Sequence, residues 1–155
     1  MQAGYEPSSP FLVQVLNGEV PLVGSEFAAE NLRRVISFVA DEDNANRDWA
    51  ALIIGDLDLD TPAIRAALIA GAEDPVERVR AEAIRGLAHK DRGLALPFVQ
   101  RALTRSRVMA NIFEAAAIVA HPSLVEPLKR FALRSENDGV DALLAEAIAA
   151  CEGDQ

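Results

Sequence analysis

Asp56-Leu-Asp-Leu-Asp60 sets carboxylates at alternate positions, as the opening of a calcium loop does. Such a loop needs glycine at its sixth position and a bidentate glutamate at its twelfth, and this chain has Thr61 and Ala67 there. The stretch reads better as a linker in which Asp60-Thr61-Pro62 turns the chain and caps the next helix. His89 and His121, the two histidines, stand at equivalent places in a near-repeat. Packed helices lie roughly 8–10 Å apart, so a shared metal would need further ligands, and no helix offers a His pair four residues apart. Near helix C-termini a histidine has a structural use, since the dipole favours a cation there. No serine, cysteine or acid is placed by sequence beside either imidazole, which leaves nucleophilic catalysis without a set of residues. No catalytic residue, metal site or cofactor is therefore expected. Arg47-Asp48-Trp49 contains the sole tryptophan. Arg and Trp are typical of interface hot spots, while Leu52 and Ile53 nearby at helical spacing favour a core role for Trp49. Arg80 and Glu82 read as ties between neighbouring helices.

These residues need helices to hold them, and the cap signals supply the starts. Ser9-Pro10, Thr61-Pro62 and Asp74-Pro75 pair a capping side chain with proline at the first helical position, where the missing N–H costs nothing. Asp74 with Glu77 and Ser123 with Glu126 have the spacing of capping boxes. Ile64, Leu68 and Ala72 form one apolar stripe; Val76, Val79, Ala83, Ile84 and Leu87 form another, and Leu124, Val125, Leu128 and Phe131 a third. No alternating strand pattern competes. The periodicity predicts nine helices, over about 10–17, 26–41, 45–57, 61–73, 75–89, 92–105, 107–120, 122–135 and 139–152. Residues 1–155 are expected to form one domain, with 1–44 as an irregular helical N-terminal cap and 45–152 as stacked helix pairs.

The chain also nearly repeats itself. Gly55 aligns with Gly86, Asp60 with Asp91, Leu68 with Val99 and Ala72 with Leu103 at an offset of 31, and Leu-Ala-His at 87–89 returns as Val-Ala-His at 119–121. A two-helix unit cannot bury its apolar face alone, so neighbours must stack. Glu114-Ala-Ala-Ala-Ile-Val-Ala120 is apolar on nearly every side, as a helix between two neighbours should be. Asp74-Pro-Val-Glu-Arg-Val-Arg-Ala-Glu-Ala-Ile-Arg-Gly-Leu-Ala88, with Ala95-Leu-Pro-Phe-Val-Gln-Arg-Ala-Leu103, resembles a small bacterial HEAT-like repeat of the phycobilisome-lyase type. Arg47-Asp-Trp-Ala50 and Asp60-Thr-Pro-Ala-Ile-Arg65 resemble the same group, whose period is shorter than the roughly 40–47 residues of other HEAT repeats. The resemblance implies an all-α, right-handed α-solenoid of HEAT-like helical hairpins, in which second helices line a concave face. It fixes no activity, because the group has no settled one.

Net charge is −9, which disfavours nucleic acid and anionic membranes as partners. Its distribution is uneven: residues 41–60 hold seven acids and one arginine, and residues 77–107 hold eight bases against three acids. The second helices of the implied pairs carry Arg65, Arg92, Arg101, Arg105, Lys129, Arg130 and Arg134 against Glu73 and Glu126. A basic ridge on an acidic protein predicts a protein-interaction scaffold that binds an acidic segment of another protein through Arg65, Arg101, Arg105, Lys129 and Arg130. Ile69 supplies apolar contact and Trp49 is a further candidate. Self-association is the variant in which the acidic stretch from Glu136 to Asp154 docks on another copy. Two alternatives remain: an accessory or lyase-like HEAT-repeat enzyme subunit, which a buried, strongly shifted acid in a cleft would favour, and a weak nucleic-acid binder. A single cysteine, Cys151, excludes an internal disulfide. With no apolar run of membrane length and no basic leader at the N-terminus, a cytoplasmic protein is expected.

Overall fold

Short polar side chains start the helices by taking a backbone N–H that the helix itself cannot satisfy. In the computed structural model, which describes residues 4–132 and 138–153, Ser9 caps α1 (Pro10–Leu16), and Ser25 caps α2 (Glu26–Ser37) by accepting the Ala28 N–H at 3.0 Å. Asp43 caps α3 (Asn44–Asp56) through the Asn46 N–H at 2.9 Å, and Thr61 caps α4 (Pro62–Gly71). After α5 (Glu77–Lys90), Asp91 caps α6 (Arg92–Ala102) through the Leu94 N–H at 3.0 Å. Then come α7 (Ala110–Val119), α8 (Val125–Ala132) and α9 (Asp138–Glu152). The described residues are thus all-helical, with nine α-helices, 3-10 turns at Phe38–Ala40 and Pro122–Leu124, and no strand. Among them no helix is long and apolar enough to cross a membrane.

Several boundaries differ from the sequence reading, each for a local reason. The helix expected over 26–41 tightens to 3-10 geometry after Ser37. The one expected over 92–105 stops at Ala102, where the Thr104 and Arg105 N–H groups bond three residues back, to the Arg101 and Ala102 carbonyls at 3.2 Å, and the Thr104 hydroxyl also donates to the Arg101 carbonyl at 2.7 Å. Residues 103–109 are therefore a connection, and α7 begins at Ala110 rather than at 107. Asp74 does not start α5 directly. Its carboxylate accepts the Val76 N–H at 2.9 Å in a turn, and the helix begins at Glu77. Ser123 is not the cap of its segment either: His121 Nδ1 accepts the Ser123 N–H at 3.1 Å. Residues 133–135 of the helix expected over 122–135 lie outside the described residues.

The chain divides into two compact units, Met1–Ala83 and Ile84–Gln155, with the division inside α5. In the first, α1 lies against α3, α2 against α3 and α4, and α3 against α4. Leu12, Val35, Ile54, Ile64, Leu68 and Val79 form its core. Gly71 marks a close approach, because a β-carbon there would sit 2.8 Å from Ala83 Cβ. Arg47 fastens the helix starts: its guanidinium forks onto Asp74 at 2.8 and 3.1 Å and reaches the Asp41 carbonyl at 3.1 Å. Arg80 donates to the Asp74 carbonyl at 3.0 Å. In the second unit α6 lies against α7, and α9 against both α7 and α8, around Leu87, Val99, Phe113, Ala116, Leu128 and Leu144. Cys151 is buried there with Sγ 3.4 Å from the Ala116 carbonyl, and burial pushes its thiol pKa up, which makes it a poor nucleophile.

Candidate functional site

Of the cations singled out by sequence, three are already engaged. Arg65 forks onto Asp60 at 2.8 and 2.7 Å, Arg101 lies over the Phe98 ring at 5.4 Å, and Lys129 Nζ is 3.8 Å from Glu152. Arg105 and Arg130 differ. They line one cavity of about 180 Å³ with Leu103, Thr104, Ser106 and Phe131, and neither has an ion-pair partner among the described residues.

The local fold explains this pair. Because α6 stops at Ala102, Arg105 is carried by the irregular connection rather than by the helix that holds Arg101. Arg130 is in the last turn of α8, one residue before Phe131. A second cavity of about 280 Å³ shares Ser106 and Phe131 with the first and is lined also by Arg107, Val108, Phe113, Val140 and Leu144. Phe113 and Phe131 meet edge to face at 5.6 Å, which fixes the shared wall. Arg107 also lacks an ion-pair partner among the described residues. Sequence reasoning missed it by placing it at the start of a helix. Arg134 lies outside the described residues.

Each cavity is smaller than the roughly 300–1,000 Å³ usual for sites that enclose a cofactor or small substrate. They are sized for side chains. Thr104, Arg105, Ser106 and Arg130 are exposed, and the two guanidiniums can pair with an anion from solvent without first breaking an ion pair among the described residues.

Ile69 and Trp49 belong to the first unit and are both half-buried. Trp49 stacks on Tyr5 with ring centroids 5.5 Å apart, and its Nε1 is buried with no hydrogen-bond partner among the described residues. The Tyr5 hydroxyl donates to Asp48 Oδ2 at 2.6 Å, and the Arg78 guanidinium lies 4.5 Å from the Tyr5 ring centroid. Asp48 and Glu82 are both buried. Removal from water, then the charge of Glu82, raises the pKa of the Asp48 carboxyl from its ordinary value, against the Tyr5 hydrogen bond and Arg78, which lower it. Asn46 ties the same N-terminal segment down by accepting the Ser9 N–H at 3.0 Å. Only Arg47-Asp48-Trp49 was visible in the sequence. The sole tyrosine was the one other signal, 43 residues away from its partner.

The histidines are not equivalent in space. His89 is in the last turn of α5, with Nε2 3.4 Å from Arg85 Nη1. His121 follows α7 and caps the 3-10 turn by accepting the Ser123 N–H through Nδ1 at 3.1 Å, and the Ser123 hydroxyl lies 2.8 Å from the same nitrogen, so a serine does stand beside this imidazole, contrary to the sequence reading. Among the described residues no group of three or more His, Cys, Asp or Glu is placed to hold a metal ion.

No protein-family model matches the chain, and no curated protein matches it. Among solved structures it is similar to the X-ray structure of YibA from Escherichia coli, with a TM-score of 0.66 and 21% sequence identity. The likeness covers 93% of this chain and 55% of the YibA chain, so this chain spans about half of YibA's length and shares its fold.

Proposed function

We propose that the protein is a non-catalytic interaction module that holds an acidic segment of another protein at Arg105 and Arg130. The observation that carries this reading is the pair itself: two exposed guanidiniums, without ion-pair partners among the described residues, line one side-chain-sized cavity. A guanidinium presents a planar fork of donors that suits a carboxylate, and two of them around one small cavity favour an acidic side chain over a neutral one. Arg65, Arg101 and Lys129 contribute less, because each would first exchange an internal contact for an external one.

The architecture proposed with it is a right-handed α-solenoid of HEAT-like hairpins. Three features support this: contacts within each unit between a helix and its next-but-one neighbour (α1 with α3, α2 with α4, α7 with α9), the sequence offset of 31, and the shared fold with YibA. The lyase-like alternative draws on Asp48, the buried acid with a raised pKa. The Tyr5 hydroxyl occupies that carboxylate, so a substrate would have to displace it.

Binding of a dye-labelled glutamate peptide, followed by fluorescence anisotropy, tests the interaction reading. The wild type is expected to bind, and an Arg105→Glu, Arg130→Glu double variant to bind roughly tenfold or more weakly. Arg33→Glu, a charge reversal on the exposed face of α2, is expected to change little. Equal losses in the two variants would mean a diffuse charge effect and would overturn the proposal.

A further inference from the structure

The cleft has two compartments of opposite chemistry that share a wall. One is cationic, with Arg105 and Arg130 beside the Thr104 and Ser106 side chains. The other is mainly apolar, with Val108, Phe113, Val140 and Leu144 around it and Arg107 also in its lining. Ser106 and Phe131 line both, so groups seated in the two compartments are neighbours. We infer that the segment bound here presents a large apolar side chain, such as leucine or phenylalanine, directly beside its carboxylate.

This inference rests on the acidic-segment reading and adds its specificity. The magnitudes say which compartment does what. An exposed ion pair contributes less than about fivefold to affinity, because water screens it and both side chains lose freedom. One apolar side chain taken out of water contributes roughly tenfold to a hundredfold. The arginines therefore choose the sign of the ligand and fix its register, while the Val108 and Leu144 compartment supplies most of the affinity. An acidic segment without an apolar neighbour leaves that compartment hydrated and binds weakly. A neutral apolar segment fills it but leaves two guanidiniums at its rim without a carboxylate.

Three dye-labelled peptides in one glycine–serine background, carrying Glu-Leu, Glu-Ala or Gln-Leu, separate these contributions when titrated into the 155-residue chain. The Glu-Leu peptide is expected to bind tightest, Glu-Ala roughly tenfold or more weakly, and Gln-Leu a few-fold more weakly with little dependence on salt. Val108→Asp places a charge in the apolar compartment from an irregular connection, so it leaves the helices unaltered, which circular dichroism verifies. It is expected to abolish the preference for Glu-Leu over Glu-Ala. Equal binding of Glu-Leu and Glu-Ala by the wild type overturns this inference and leaves the acidic-segment reading standing. Failure of all three peptides to bind overturns both. Self-association of the wild type that Val108→Asp abolishes assigns the cleft to a second copy and also overturns it.

Discussion

Asp48 is held where a carboxylate is costly to ionise. It is only 8% exposed, it faces the negative charge of Glu82, and the Tyr5 hydroxyl and Arg78 compensate in part. Because its folded-state pKa lies above the unfolded value, the folded chain binds the proton more tightly. Stability from this group is then fully present below the ordinary carboxylate value and is lost as pH rises through the raised one. Asp43 works in the opposite sense: the Asn46 N–H it accepts lowers its pKa, and its contribution is lost as pH falls through the lowered value. The two slopes are separable by substitution. Asp48→Asn keeps an acceptor for the Tyr5 hydroxyl and removes the titration. Its unfolding midpoint is expected to gain on the wild type as pH rises through the weakly acidic range, in thermal melts followed by circular dichroism. Tyr5→Phe leaves the buried carboxylate without that donor, and a loss of roughly 1–3 kcal/mol is expected. A difference between wild type and Asp48→Asn that does not vary with pH would contradict this account. None of this pairing could be read in advance, because Tyr5 lies before the first helix and meets Asp48 across 43 residues, which leaves no local pattern.

The helices themselves were mostly legible, because caps and apolar stripes act within a few residues. Ile64, Leu68 and Ala72 are buried as their spacing required, and Ser9 and Thr61 cap as their side chains allow. The reading failed where a neighbouring residue competed for the same group. Asp74 has a carboxylate suited to capping, but the Arg47 fork takes both of its oxygens and the Val76 N–H closes a turn on Oδ1. Leu-Ala-His at 87–89 and Val-Ala-His at 119–121 look alike, yet Ala88 is helical and Ala120 is left-handed at φ 52°. The residue after each histidine makes the difference. Pro122 disfavours helical geometry at His121, so α7 closes at Ala120, whereas Lys90 lets α5 run on past His89. An L-residue in that left-handed region costs roughly 1–2 kcal/mol that glycine does not incur. Ala120→Gly is therefore expected to stabilise the protein by about 1 kcal/mol. Ala88→Gly, at the position the repeat equates with it, is expected to destabilise by roughly 1 kcal/mol or more, since it removes a buried methyl from a helix interior. Chemical unfolding of the two variants beside the wild type checks both signs. The same sign for both would mean that the two alanines are held alike after all.

At the scale of the molecule, a net charge of −9 and a cationic cleft act on the same ligand in opposite directions. The sequence displayed both charges but not which cations were engaged, since Arg65 with Asp60 is a choice of rotamer, and Lys129 with Glu152 joins residues far apart in sequence. Range separates the two fields. At about 0.01 M salt the screening length is roughly 30 Å, the size of a small domain, and an acidic peptide feels the repulsion of the whole chain. At about 0.1 M it falls to roughly 10 Å, so distant carboxylates are hidden while Arg105 and Arg130 still act at contact. Toward 1 M, at roughly 3 Å, the exposed pairs are screened as well and only the apolar compartment still contributes. Affinity for the Glu-Leu peptide is therefore expected to rise from the lowest salt, pass through a maximum and fall to a plateau. The Arg105→Glu, Arg130→Glu variant should keep the rise and lose the fall, and duplex DNA, repelled by the long-range field, should not be retained at the lowest salt. A wild-type affinity that only falls from the lowest salt upward would mean that the cleft's field outweighs the rest of the molecule even at long range. The basic residues outside the cleft would then have to be counted as part of the site.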